Sequence, residues 1–163
     1  LYVFQAFPDI LLSIAISASL GPGFWKIIFA LGISSIPGYA RMMRASIMRI
    51  RDSEYIEAEQ SINCPTYKII LKHIIPNAMS PLIVQAAMGI ATAGLAASAL
   101  SFLGFGIQAP TPEWGSMLSS ARNYIRDYPH LCILPGMFIM ATVVSYNMIG
   151  DTVRDALDPK LKD

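Results

Sequence analysis

An all-α, polytopic transmembrane fold is predicted for this chain by three features of its sequence. Hydrophobic residues fill 54% of its 163 positions and charged ones only 14%, where a water-soluble domain carries roughly a quarter. Charge is also absent over long runs: no Asp, Glu, Lys or Arg occurs from Ile10 to Trp25, Ile27 to Ala40, Ile74 to Pro112 or Tyr128 to Gly150. Between the second and third of these lies a polar, turn-broken passage, "EYIEAEQSINCPTYKIILKHIIPN" (54–77). Buried core helices of a soluble all-α protein are the competing explanation, but the run after His73 is longer than such a helix needs.

Taking the elements in order, a helix rises about 1.5 Å per residue and needs about 20 apolar residues to cross a bilayer core. Four crossings fit, at Val3–Leu20, Phe24–Ala40, Ser80–Leu103 and Leu131–Gly150. The first lies near Pro8 and Asp9; an ionisable residue there is expensive in lipid, so Asp9 belongs at the rim. Pro37-Gly38 and Pro135-Gly136 can kink the spans that hold them, or simply pack.

After the second span, "RMMRASIMRIRDSEYIEAEQSI" sets Met43, Ile47, Ile50 and Ile56 toward one side of an amphipathic helical tract, with arginines opposite. Helix propensity stays high through Glu54–Gln60 and stops at "NCP". Asn63 suits the left-handed position that closes a helix, and Pro65 cannot continue the previous hydrogen bonding. A further helix, Thr66 to Ile75, is expected to end at Pro76. The passage thus reads as helix, tight turn, helix, held between two crossings.

The loop after the third span contains "GIQAPTPEWGSM", in which Pro110 and Pro112 force an extended approach to Trp114. Next, "SMLSSARNYIRDYP" predicts a short amphipathic helix ended by Pro129, with Trp114, Tyr124 and Tyr128 at headgroup level. Nine of the twelve Lys and Arg residues fall in the polar passage and the C-terminal tail. That places both, with the opening stretch, in the cytoplasm.

The sequence excludes several function classes. A net charge of +1 gives no reason to expect a nucleic-acid partner. There is no GxxxxGK[ST], GxGxxG or HExxH pattern. Cys64 and Cys132 lack metal or redox spacing, and His73 and His130 have no visible triad or ligand set. No catalytic residue, metal site or cofactor is therefore expected. On the third span Gln85, Gly89, Thr92 and Ala96 share one helical face; it either admits a neighbouring helix, with hydrogen bonds across it, or lines a passage. Asn147 is polar at depth in the last span, with an interhelical hydrogen bond as its ordinary use.

The polar passage resembles the EAA loop of ATP-binding-cassette importer permeases, with Glu57, Ala58, Glu59, Asn63 and "HIIPN" (73–77) in the motif positions. Two departures stand out: Glu59 where the motif has a second Ala, and Asn63 where it has Gly. "FQAFPDILLSIAI", "SFLGFGIQAPTPEWGSML" and "NMIGDTVRDALDPKLKD" resemble the dipeptide and oligopeptide branch, so the resemblance covers essentially the whole chain.

The resemblance implies one transmembrane permease domain over 1–163 in the MetI-like fold, holding the last four of six spans, in a bacterial or archaeal cytoplasmic membrane. Its cytoplasmic coupling loop would occupy about 41–79 and its external loop about 104–130. It also implies coupling to separate ATPase subunits through Glu57, Ala58, Glu59, Asn63 and Pro76, with Gln85, Gly89, Thr92 and Asn147 as pathway or helix-packing residues. The implied partners are a homologous permease subunit, two cytoplasmic ATP-binding subunits, an extracytoplasmic substrate-binding protein and the bilayer. The chain itself would not be an enzyme. The cargo expected is di- or oligopeptides. The alternatives are nickel or another small solute, or an ion-coupled transporter, which would need ionisable residues that the stretch from Ile74 to Pro112 lacks.

Overall fold

The computed structural model describes residues 8–157, and among these every regular element is helical. In chain order, α1 is Asp9–Leu20, α2 is Phe24–Arg51 and α3 is Glu54–Ser61. Then α4 is Thr66–Phe102, α5 is Trp114–Ala121 and α6 is His130–Leu157.

The arrangement of side chains is that of a protein whose solvent is lipid. The completely buried positions are mostly small: Ala30, Ala78, Ser17 and Ser101 are 0% exposed, while Trp25, Phe29 and Met148 are more than 60% exposed. Small residues bring helices close where lipid supplies no hydrophobic drive for their association. Two helices, α4 and α6, are long and apolar enough to cross a membrane, and only 6% of the most apolar window of each is buried. A soluble core helix would bury most of such a window, so the competing explanation does not fit these two.

The predicted crossings differ from the observed helices in instructive ways. The part of the first crossing before Pro8 lies outside the described residues, and α1 itself is 12 residues long. The second crossing and the arginine-bearing tract after it form one uninterrupted helix, α2, of 28 residues. The last runs on through Asp151, Arg154 and Asp155. Pro37 and Pro135 lie inside α2 and α6, and both are buried.

Pro76 is the clearest correction, because the helix does not stop there. Its ring removes one N–H and crowds the carbonyl four residues back. The chain widens to a π-type turn over Ile70–Ile74, with the Ile75 N–H reaching the Ile70 carbonyl five residues back, and then continues. Pro76 falls at the start of the following α segment, where a missing N–H costs little. One wide turn replaces the break that the sequence predicts.

The loop after α4 is locked on Ser101, whose hydroxyl accepts from the Ile107 N–H at 3.0 Å and whose carbonyl accepts from Gln108 at 3.0 Å. The turn before α2 is tied to the same loop by Gly23 N–H to Gly106 carbonyl, 3.1 Å. Helix α5 is capped by Glu113, whose carboxylate accepts from the Ser116 N–H at 2.7 Å. Gly115 lets α5 lie against α4 so closely that a Cβ there would stand 2.0 Å from the Ser98 carbonyl. The predicted amphipathic helix is shorter than expected: after Ala121 it tightens to a 3-10 turn at Arg122–Tyr124 and does not reach Pro129. Trp114 stacks on Phe138 of α6, centroids 5.7 Å apart, so that much of its face is spent on packing.

Candidate functional site: an elbow and a trough

The elbow is residues 52–66, and its construction begins with two short joints. Asp52 and Ser53 separate α2 from α3, and the Ser53 carbonyl accepts from the N–H groups of Ile56 and Glu57 at 3.0 and 3.3 Å. The Ser53 hydroxyl turns back instead, donating to the Ile50 carbonyl of α2 at 2.5 Å. At the other end Asn63 takes φ 61, the only positive φ outside glycine among the described residues. With it come Cys64 N–H to Glu59 carbonyl, 3.1 Å, and Asn63 N–H to Gln60 carbonyl, 3.0 Å. This pair of bonds is a Schellman closure, which needs a residue tolerant of the left-handed region, and Asn is second only to Gly.

A small apolar core fixes the two short segments to the long helices. Ile56 of α3 is 0% exposed and packs with Ile69 and Ile74 of α4, while Ile47 and Ile50 of α2 and Cys64 close around them. Burying a side chain such as Ile56 contributes about 2–3 kcal/mol. Ile47, Ile50 and Ile56 thus share a side as the sequence predicts; Met43 is no part of the cluster.

Around that core the motif positions divide. Glu57 and Ala58 are exposed, with Tyr55, Ile62 and Tyr67 also open to the surroundings. Glu59 turns inward, its Oε1 3.5 Å from Nε2 of His73 on the wide turn of α4, both side chains just under 30% exposed. A carboxylate where the motif carries Ala therefore reaches across the elbow rather than outward. Burial, and then the neighbouring Glu59, push the Cys64 thiol above its ordinary range, with Lys68 and Lys72 acting the other way. Next to Pro76, Asn77 donates its side-chain amide to the His73 carbonyl at 2.7 Å.

The trough lies along the other half of the molecule, an open cavity of about 760 Å³ between α1, α2 and α4. Gln85, Gly89, Thr92 and Ala96 all line it, on the α4 side. Facing them are Asp9 and Ser13 of α1 and Gly32, Ser34, Ser35, Gly38 and Tyr39 of α2. A Cβ on Gly89 would meet the Tyr39 hydroxyl at 2.7 Å, while Gly32 and Gly38 have nothing within 4 Å of theirs. Of the three trough glycines, Gly89 alone is closely packed.

The serine and threonine hydroxyls of the trough are already used. Ser13 donates to Ser34 at 2.6 Å and Ser34 to the Leu31 carbonyl at 3.0 Å. Ser35 donates to the Gly32 carbonyl at 2.8 Å, and Thr92 to the Gly89 carbonyl at 2.9 Å. Thr92 thus bonds within its own helix and not across to another, and Gln85 makes no hydrogen bond to any other described residue. Asn147 is exposed on α6, away from the trough, and makes no hydrogen bond there. The Ser13–Ser34 pair and the place of Asp9 in the wall are what sequence reasoning missed. A serine-only face on α1, Ser13 and Ser17, was the available signal.

No group of three or more potential metal ligands occurs among the described residues. Chemically, then, the two regions offer a stiff polar projection and an open cavity wall.

The whole chain, residues 1–163, matches the family model described as "Binding-protein-dependent transport system inner membrane component". It is 47% identical over 160 residues to the dipeptide transport system permease protein DppC of Alkalihalophilus pseudofirmus, covering 98% of this chain and 53% of that protein. It is 45% identical over 161 residues to the di/tripeptide transport system permease protein DppC of Pseudomonas aeruginosa, covering 99% and 53%. To the glutathione transport system permease protein GsiD of Escherichia coli it is 44% identical over 160 residues, covering 98% and 53%. The chain spans about half the length of the curated relatives it matches.

Proposed function

The chain belongs to the family of binding-protein-dependent transport system inner membrane components, and from that premise we propose that it forms the coupling and pathway half of a multi-pass permease subunit in an ATP-driven importer of short peptides. ATP hydrolysis belongs to separate cytoplasmic subunits, cargo is delivered by an extracytoplasmic binding protein, and a second permease completes the passage. The polar segment 41–79 faces the cytoplasm and the loop 104–130 the outside.

The observation that carries this reading is the elbow's own apolar core. A displaced surface helix transmits motion only if it cannot flex at its joints. Ile56, clamped between Ile50 of α2 and Ile69 and Ile74 of α4, makes the projection continuous with the helices on either side. Movement of an ATPase against Glu57, Ala58 and Ile62 then tilts α2 and α4 together and reshapes the trough between them. The peptide cargo rests on the names of the relatives, which are permeases of dipeptide, di/tripeptide and glutathione systems.

The test is Glu57→Arg in the full-length protein, read by co-purification with the ATPase subunits and by ATP hydrolysis stimulated by loaded binding protein. Loss of stimulation with normal membrane abundance is expected. Unchanged assembly and unchanged stimulation would remove Glu57 from the coupling contact.

A further inference from the structure

The wall of the trough has one charge of one sign. Among the described residues Asp9 is its only charged one, and no Lys, Arg or His lines it. Of the five hydroxyls lining it, those of Ser13, Ser34, Ser35 and Thr92 donate their protons within the protein and so offer a visitor oxygen lone pairs, while the Tyr39 hydroxyl and the Gln85 amide keep donors of their own. A carboxylate with the acceptor oxygen of Ser13 one turn away is complementary to a cationic donor, and an ionisable group on a path through a membrane normally has a functional partner.

The position of Asp9 follows from register. Ser13 meets Ser34, and α1 and α2 run antiparallel through the tight turn at Gly21–Gly23. Asp9, one helical turn before Ser13, therefore stands level with Gly38 and Tyr39, opposite Gly89. At Gly38 the wall is open, with nothing within 4 Å of a Cβ built there. The carboxylate makes no ion pair with any described residue.

We infer that Asp9 is a specificity-determining residue that holds the free α-ammonium of a short peptide as it passes toward the elbow side of the trough. This deepens the peptide reading above and rests on it. Dipeptides, tripeptides and glutathione share a primary ammonium beside the first or γ-linked residue, and they differ in most else. The ammonium is thus the group that a single common carboxylate can recognise across that cargo range.

The experiment uses the full-length protein assembled with its partners in proteoliposomes, with alanyl-alanine and propionyl-alanine, which lacks the ammonium, as cargo. Rates are normalised to the cargo loaded on the binding protein, so that delivery cancels. The wild-type protein is expected to favour alanyl-alanine by about tenfold, the scale of one hydrogen bond to a charged group. D9N is expected to reduce that preference to about unity and D9E to restore most of it. A D9N protein that keeps both the rate and the preference of the wild type overturns the role of Asp9 and leaves the peptide reading intact. A wild-type complex that moves neither compound overturns the peptide reading, and this inference with it. Equal loss of both cargoes in D9N, unrepaired by D9E, identifies a structural requirement and also overturns the inference.

Discussion

The elbow and the trough use the same kinds of residue to opposite ends. In the elbow, isoleucines from three helices converge until Ile56 has no exposed surface, with Ser53 turned back on Ile50 and Glu59 on His73. In the trough the helices meet through Ser13, Ser34 and Gly89 and then part, leaving glycines at 32 and 38 with empty space beside them. Glycine inside a helix costs about 1 kcal/mol relative to alanine, and neither glycine is required by close packing. One region has closed every gap and the other keeps one open. On the proposed function, that is the difference between a part that transmits force and a part that lets something by.

The comparison breaks first at Ile56. Ile56→Ala should cost about 2–5 kcal/mol of local stability by leaving a cavity among Ile69, Ile74 and Ile50. Binding-protein-stimulated hydrolysis and uptake should both collapse while the protein still reaches the membrane, and protease accessibility at 54–66 should rise. Uptake that survives would show the elbow to be a tether.

The trough answers to a different substitution. Thr92→Trp fills the cavity from α4, and because its hydroxyl bonds only within its own helix, little stability is lost with it. Peptide uptake should be abolished with stimulated hydrolysis retained, the reverse of a coupling defect. Equal loss of both would merge the two regions into one functional unit.

A smaller effect distinguishes the turn from the core. Asn63→Ala places a Cβ residue at φ 61 and should destabilise the elbow by about 1 kcal/mol, whereas Asn63→Gly should be neutral or slightly stabilising. Thermal midpoints of the purified complex would order the three as Gly, Asn, Ala.

The smallest effect is chemical. Burial and then Glu59 hold the Cys64 thiol above its ordinary range. Replacing Glu59 with Gln removes the anionic neighbour, brings the thiol down and increases its thiolate fraction near pH 8. Alkylation of Cys64 by iodoacetamide, in a C132S background, should then be faster than in the parent over the alkaline range. An unchanged pH profile would mean that Glu59 does not face the thiol.

Much of the elbow was legible in the sequence because its signals are local. Ile47, Ile50 and Ile56 stand at helical spacing, and "NCP" requires a left-handed residue followed by a restart; both are settled within a few residues. Pro76 was misread for the same reason. A proline predicts a break when only near neighbours are weighed, and the wide turn at 70–74 is a cooperative solution in which five residues share the adjustment. The face of Gln85, Gly89, Thr92 and Ala96 could be read from periodicity. What stood opposite it could not, because Asp9, Ser34 and Tyr39 come from other helices and their register depends on how tightly serines and glycines let those helices meet.

The wide turn at Ile70–Ile74 also sets an angle. It holds one residue more than an ordinary helical turn, and each residue of an α-helix advances the azimuth by about 100°. Everything beyond Ile75 is thus clocked about a quarter of a revolution from where a regular helix begun at Thr66 would put it. The elbow and the membrane face of α4 are indexed to each other by that single inserted residue, much as a keyed shaft fixes a cam, so the number of residues between Pro65 and Pro76 sets the angle between them.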